Sequence, residues 1–241
     1  MVKEWRIGCS GFYNKHWKGV FYPDDLPQSK FFNFYSEKFN SLELNVTFYR
    51  FPKAETLKKW YNKSPEGFNF SVKAPKLITH MKKLNDCERL INEFYSACEE
   101  GMKEKLGCLL FQFPPSFKYS EERLEQIIYS LKPDFNNVVE FRDAGWWNKN
   151  VYAALSENKI IFCSTNHPKL PEDIVINSHI TYIRLHGNPQ IFYSKYSLKE
   201  LEQLNSAVAK RRKIKTAYIY FNNTASNAGI ENAMEIQSMT L

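Results

Sequence analysis

The sequence predicts an α/β protein, a closed (β/α)8 TIM-type barrel, and three observations predict it. Strand-like and helix-like runs alternate eight times at intervals of about thirty residues, the length of a strand–crossover–strand unit. No linker or low-complexity stretch separates them, so residues 1–241 read as one domain. Within the strands, polar side chains recur at every second position, although the strands are too apolar to lie on a surface. An open dinucleotide-binding sheet has little support, because no Gly-x-Gly-x-x-Gly follows the first strand.

The elements follow from local pattern. Residues 5–9 form the first strand, leading into an aromatic loop with Phe12, Tyr13, Trp17, Phe21 and Tyr22. Pro27 opens a helix through residue 39, with Phe31, Phe34, Tyr35 and Phe39 at helical spacing. A strand over 42–45, a helix over 54–62 and a strand over 68–73 follow, the last closed by Ala74-Pro75. A long helix spans about 86–105, then a strand over 106–113 stops at Pro114-Pro115. The helix over 120–131 carries Leu124, Ile127, Ile128 and Leu131 on one face. Strand 138–143, helix 151–157 and strand 160–164 come next. Residues 166–178 are interrupted by proline and give no helix, so the sixth helix is expected to be irregular or missing. Strand 181–186, helix 198–212, strand 217–222 and helix 225–239 complete the chain.

Strand alternation sorts the side chains. Leu42, Leu44, Phe70, Val72, Phe111, Phe113, Val139, Phe141, Ile183, Leu185, Ile219 and Phe221 face the helices. Glu43, Asn45, Ser71, Lys73, Gln112, Glu140, Arg142, Arg184, His186, Tyr220 and Asn222 then face inward. They lie toward the C-terminal strand ends, where barrels of this kind carry their active sites. Glu43, Glu140 and Arg184 form a deeper layer that a buried ion-pair network would also explain. The rim layer of Asn45, Lys73, Gln112, Arg142, His186 and Asn222 suits the holding of an anion.

Loops on the same face add Lys76, His80, Lys82 and Lys83 and a set of aromatics, among them Trp17, Tyr49, Trp146, Tyr193 and Tyr196. Trp17 and Tyr49 are candidates for stacking against a ring of the substrate, although such aromatics also serve as packing. The run Lys210-Arg211-Arg212-Lys213 ends a helix and precedes a strand, which puts it on the opposite face.

Composition narrows the chemistry. A net charge of +7 favours anionic partners. Five cysteines without a Cys-x-x-Cys pair argue for reduced thiols and against zinc. With no run long enough to span a bilayer and no cleavable leader, a cytoplasmic location and no membrane association are expected. No metal and no cofactor are expected, since His186 alone among the histidines occupies an inward strand position. No Gly-x-Ser-x-Gly elbow supports a serine nucleophile.

A set of blocks in order carries a resemblance. Ile7-Gly8-Cys9-Ser10-Gly11 with Trp17, Glu43-Leu44-Asn45 with Thr47-Phe48-Tyr49, and Val72-Lys73-Ala74-Pro75 with His80 open it. Val139-Glu140-Phe141-Arg142, Arg184-Leu185-His186-Gly187 and Tyr220-Phe221-Asn222-Asn223 close it. In this order they resemble the YecE-like barrels, a family labelled a domain of unknown function. The resemblance implies a TIM-type barrel and no settled activity. Members commonly carry His after the Glu-x-Arg triplet; Asp143 stands there, so an imidazole at that position is not essential here.

The sequence therefore points to an enzyme acting on a phosphate-bearing or other anionic substrate without a metal. Arg142, Arg184, Lys73, Asn45, Gln112 and Asn222 would hold the substrate. His186, expected at a part-wet rim with a pKa near neutral, would be the general acid/base, and Glu140 would balance the cations. The rival readings are a nucleic-acid-binding barrel without catalysis and a structural or ligand-sensing barrel.

Overall fold

Eight parallel strands form the wall of the molecule: β1 Glu4–Cys9, β2 Ser41–Leu44, β3 Asn69–Lys73, β4 Leu106–Gln112, β5 Asn137–Glu140, β6 Ile161–Asn166, β7 Ile180–Leu185 and β8 Thr216–Phe221. The computed structural model describes residues 2 and 4–240; residues 1, 3 and 241 of the expected domain lie outside them. Hydrogen-bonded order runs β1-β8-β7-β6-β5-β4-β3-β2, so β1 and β2 meet at a seam without a ladder.

Side chains close that seam. The Tyr35 hydroxyl accepts from the Cys9 N–H at 2.8 Å and donates to the Ser41 carbonyl at 3.0 Å. Asn40 accepts from the Ile7 N–H at 3.2 Å and donates to the Trp5 carbonyl at 2.8 Å. The backbone approach is close enough to exclude any side chain at residue 8. A Cβ on Gly8 would fall 2.1 Å from the Ser41 carbonyl oxygen. Glycine is therefore a packing requirement at this position.

The helices are α1 Phe31–Lys38, α2 Val46–Tyr49, α3 Ala54–Lys63, α4 Glu88–Met102, α5 Glu121–Ser130, α6 Lys149–Glu157, α7 Leu198–Ala209 and α8 Ala228–Ser238. Several expected helices are a few residues shorter than their patterns, and at Gln28–Lys30 and Lys103–Lys105 the missing turn winds as a tighter 3-10 helix. The short α2 and a π-helical turn at Leu77–Met81 were not expected; both follow strand ends at the mouth. No helix joins β6 to β7, as the sequence anticipates. The connecting strap is tied to β6 instead. Asn177 accepts from the Phe162 N–H at 3.0 Å, and the Ser164 hydroxyl accepts from the Val175 N–H at 2.9 Å. These bonds stand in for the contacts a crossover helix would make.

Alternation holds through the wall. Leu42, Phe70, Val72, Phe111, Val139, Ile183 and Ile219 join the core between strands and helices. Cys108, Leu110, Val138, Ile161, Cys163, Tyr182, Tyr218 and Tyr220 fill a separate cluster inside the barrel. This apolar floor supports the charged layer above it. All five cysteines are buried and unpaired. Among the described residues no helix is long and apolar enough to cross a membrane.

Candidate anion-binding site at the barrel mouth

Parallel strands end together, so the last inward residue of each reaches one mouth. Lys73, Gln112 and Glu140 are the final residues of β3, β4 and β5. Asn45, His186 and Asn222 come immediately after β2, β7 and β8.

The deepest charges are fully buried and paired. Arg184 donates from Nε to Glu43 Oε2 at 3.0 Å, from Nη2 to Glu43 Oε1 at 2.7 Å, and from Nη1 to Glu140 Oε2 at 2.6 Å. The Tyr182 hydroxyl donates to Glu43 Oε2 at 2.6 Å. Arg142 Nε lies 2.6 Å from Glu140 Oε1, a charge contact rather than an aligned hydrogen bond. Burial alone would raise the Glu140 carboxyl; the guanidinium groups of Arg142 and Arg184 outweigh it and hold the group well below its ordinary value. One layer down, the Tyr220 hydroxyl meets Ser71 Oγ at 3.0 Å and also Ser41 Oγ.

His186 departs from expectation. Its side chain is wholly buried rather than part-wet. Asn222 presents its amide nitrogen to Nδ1 at 2.8 Å, which leaves Nε2 turned to the buried charges. That nitrogen faces Glu140 Oε1 at 3.2 Å, with Arg142 Nη2 3.1 Å away. Burial and the Arg142 charge push the imidazole down to about 3. The expected part-wet position and near-neutral pKa are thus corrected: His186 lies buried among Glu140, Arg142 and Asn222. The four inward residues Glu140, Arg142, Arg184 and His186 do form one contacting group.

This burial sets a pH dependence. In the unfolded chain the imidazole gains a proton below about 6.5, whereas in the fold it stays neutral to about 3. The unfolded state then binds more protons through that window, and stability falls as pH drops through it. Glu140 adds nothing until the pH nears the ordinary carboxyl range. Between pH 6.5 and 5, His186 should remove roughly 2 kcal/mol of stability. Urea denaturation at pH 7 and pH 5 checks this; a His186→Gln variant should lose less over the same interval than wild type. An equal loss would show that His186 does not set it.

Above the paired layer, a cleft of about 600 Å³ is lined by Asn45, Phe48, Tyr49, Lys73, His80, Gln112, Arg142, Arg184 and Asn222, with His167, Lys169 and Phe192 from longer loops. Lys73 is 9% exposed, and no carboxylate pairs with it among the described residues. Its Nζ donates to Gln112 Oε1 at 3.0 Å and lies 4.3 Å from the Phe48 ring centroid. Burial, then the Arg184 charge, pushes it down to about 8, so it remains mostly a cation at neutral pH. Three inward cations (Arg184, Arg142, Lys73) thus face two inward carboxylates (Glu43, Glu140), a surplus of one among the strand-borne charges. Burial, then Lys73 and Arg142, push His80 down to about 4.

The loop aromatics divide. Tyr49 is exposed and lines the cleft. Trp17 is wholly buried and donates from Nε1 to the Ser226 carbonyl at 3.3 Å, so its place in substrate contact is corrected to packing. Trp146 is a second plug, stacked on Phe141 at 3.9 Å between ring centroids. His167, Lys169 and Phe192 were missing from the expected site, and Phe48 and His80 were placed only among the loop residues of this face. They come from turns after strands, where no period fixes direction. The run at residues 210–213 lies between α7 and β8, at the opposite end, with its four side chains exposed. Among the described residues no three His, Cys, Asp or Glu side chains gather to hold a metal ion.

The family model described as protein of unknown function DUF72 matches residues 6–241, nearly the whole chain. The chain belongs to the DUF72 family. Other DUF72-type proteins resemble it closely in shape. A DUF72 family protein of Thermotoga maritima is 29% identical, with a TM-score of 0.89, covering 98% of this chain and 99% of that one. A DUF72 family protein of Enterococcus faecalis is 21% identical with a TM-score of 0.82, over 99% of this chain and 98% of that one, which supports the fold alone. Protein YunF of Bacillus subtilis is 24% identical over 89% of this chain and 88% of its own length. Protein YecE of Escherichia coli K12 is 31% identical over 48% of this chain and 42% of its own. The YecE-like resemblance is therefore correct, and membership brings a TIM-type barrel without an activity attached.

Proposed function

We propose that this DUF72 barrel is an enzyme acting on a small phosphate-bearing or otherwise anionic molecule at its C-terminal mouth. One observation carries the reading. Lys73 is a buried cation without a carboxylate partner, and its ammonium lines a cleft of small-molecule size. Burying a charge is unfavourable unless it is compensated, and a ligand anion would supply the compensation. Arg142 stands beside it, with Nη1 lacking a protein partner among the described residues. Asn45 Oδ1 is buried without a hydrogen-bond partner and supplies a polar contact of the other kind. Chemistry carried by side chains is favoured, because Lys73, Arg142 and Lys169 would repel a divalent cation in the same space.

Inorganic phosphate and small phosphate esters should bind saturably. Lys73→Met should weaken that binding about 10- to 100-fold, the worth of one charge-assisted contact. Isothermal titration of folded variants checks it; unchanged affinity in Lys73→Met would remove the reading.

A second reading, nucleic-acid binding without catalysis, is favoured by exposed Tyr49 and Phe192 at the cleft edge. It requires affinity for a DNA or RNA oligonucleotide that falls steeply and log-linearly with salt. Tight small-ester binding beside weak oligonucleotide binding would set this reading aside.

A further inference from the structure

Among the described residues two lysines are 9% exposed, and their nitrogens differ. Lys105 Nζ donates three times, to the Tyr61 carbonyl at 3.0 Å, the Ser64 carbonyl at 2.8 Å and the Ser64 hydroxyl at 2.8 Å. Its valences are filled, and it is a structural clamp. Lys73 Nζ has one acceptor, Gln112 Oε1, and opens on the cleft.

We propose that Lys73 is a nucleophile that forms a Schiff base with a small aldehyde or ketone carrying a carboxylate or phosphate. This rests on the mouth being an anion site. A buried lysine beside other cations is a standard way to obtain a reactive amine near neutral pH. Burial and the Arg184 charge push Lys73 down to about 8, so about a tenth is uncharged at pH 7. At its ordinary value of 10.5 the fraction would be roughly one in three thousand. The Phe48 ring, its centroid 4.3 Å from Nζ, works the other way and favours the cation.

The step balances without an oxidant or reductant. The Lys73 nitrogen lone pair attacks the carbonyl carbon and a C–N bond forms. The carbonyl oxygen takes up the two amine protons through solvent and leaves as water, giving the imine. Protonated, the imine keeps the positive charge in the place where the ammonium stood, so the surplus of one cation persists. Arg142 Nη1 is the group available to the substrate's anion.

The test is reductive trapping on the full chain. Glyoxylate and pyruvate are supplied separately at pH 7 with cyanoborohydride, and the sites are read by peptide mass mapping. Lys73 should be labelled at least tenfold faster than Lys210 or Lys213, with a rate that rises through a midpoint near pH 8. Inorganic phosphate should slow it. Wild-type protein alone decides the outcome, so a failure of Lys73→Met to fold costs nothing. Labelling confined to surface lysines would overturn the Schiff base. If phosphate still bound at the mouth, the anion-site reading would stand without it; if phosphate failed too, both would fall.

Discussion

Glu140→Gln is expected to lose on the order of 3–5 kcal/mol of stability, a large share of what a domain possesses. The substitution keeps the shape and removes the charge. Arg184 would retain Glu43, but Arg142 Nε, 2.6 Å from Glu140 Oε1, would have no carboxylate, and His186 Nε2 would face an amide. For a chain of this length the midpoint of thermal unfolding should fall by roughly 6–20 °C. Glu93→Gln is the control, because its pair with Arg89 on α4 is exposed and should leave the melt unchanged. A Glu140→Gln protein that melts like wild type would show the buried network to be dispensable for the fold.

Gly8→Ala is the second large effect, and it acts on the seam. A methyl group 2.1 Å from the Ser41 carbonyl carbon's oxygen and 2.6 Å from the Tyr35 hydroxyl cannot be accommodated by a side-chain rotation, since the first obstacle is backbone. Either β1 or β2 must move, and the Tyr35 bridge between them opens. The loss should reach about 3 kcal/mol, the upper end for overpacking in a core. Tyr35→Phe, which strips the hydroxyl but keeps the ring, should lose about 1–3 kcal/mol by orphaning the Cys9 N–H and Ser41 carbonyl. Chemical denaturation of both variants orders the two; a Gly8→Ala protein as stable as wild type would mean the strands can separate there without cost.

Much of this was legible because strand alternation is a strong signal where one face is charged. Glu43, Glu140 and Arg184 stand among branched and aromatic neighbours, and parity alone sends them inward. The same rule was silent for β6, whose inward Ile161 and Cys163 are as apolar as the outward Phe162. It was silent for β1 because Gly8 has no side chain to sort. The state of His186 could not be read at all. Its identity fixes an ordinary pKa, but its burial depends on Asn222, Arg142 and Glu140 arriving from other strands. Trp17 misled for a related reason: an aromatic in a connecting loop reads as a stacking surface until the segment it docks on, here Ser226, is known.

The seam also bears on the site. Asn45 follows β2 directly and donates to the Ser10 carbonyl just beyond β1 at 3.2 Å, so the same strands that lack a ladder position one wall of the cleft. β2 ends at Leu44 and the chain turns into α2, which carries Phe48 over Lys73.

The most direct test of a surplus cation at the mouth is a crystal structure of the protein grown with phosphate. Electron density for the anion is expected at the C-terminal mouth, against Lys73 Nζ and Arg142. Density only at the exposed run of residues 210–213, with the mouth unoccupied at the same phosphate concentration, would contradict it.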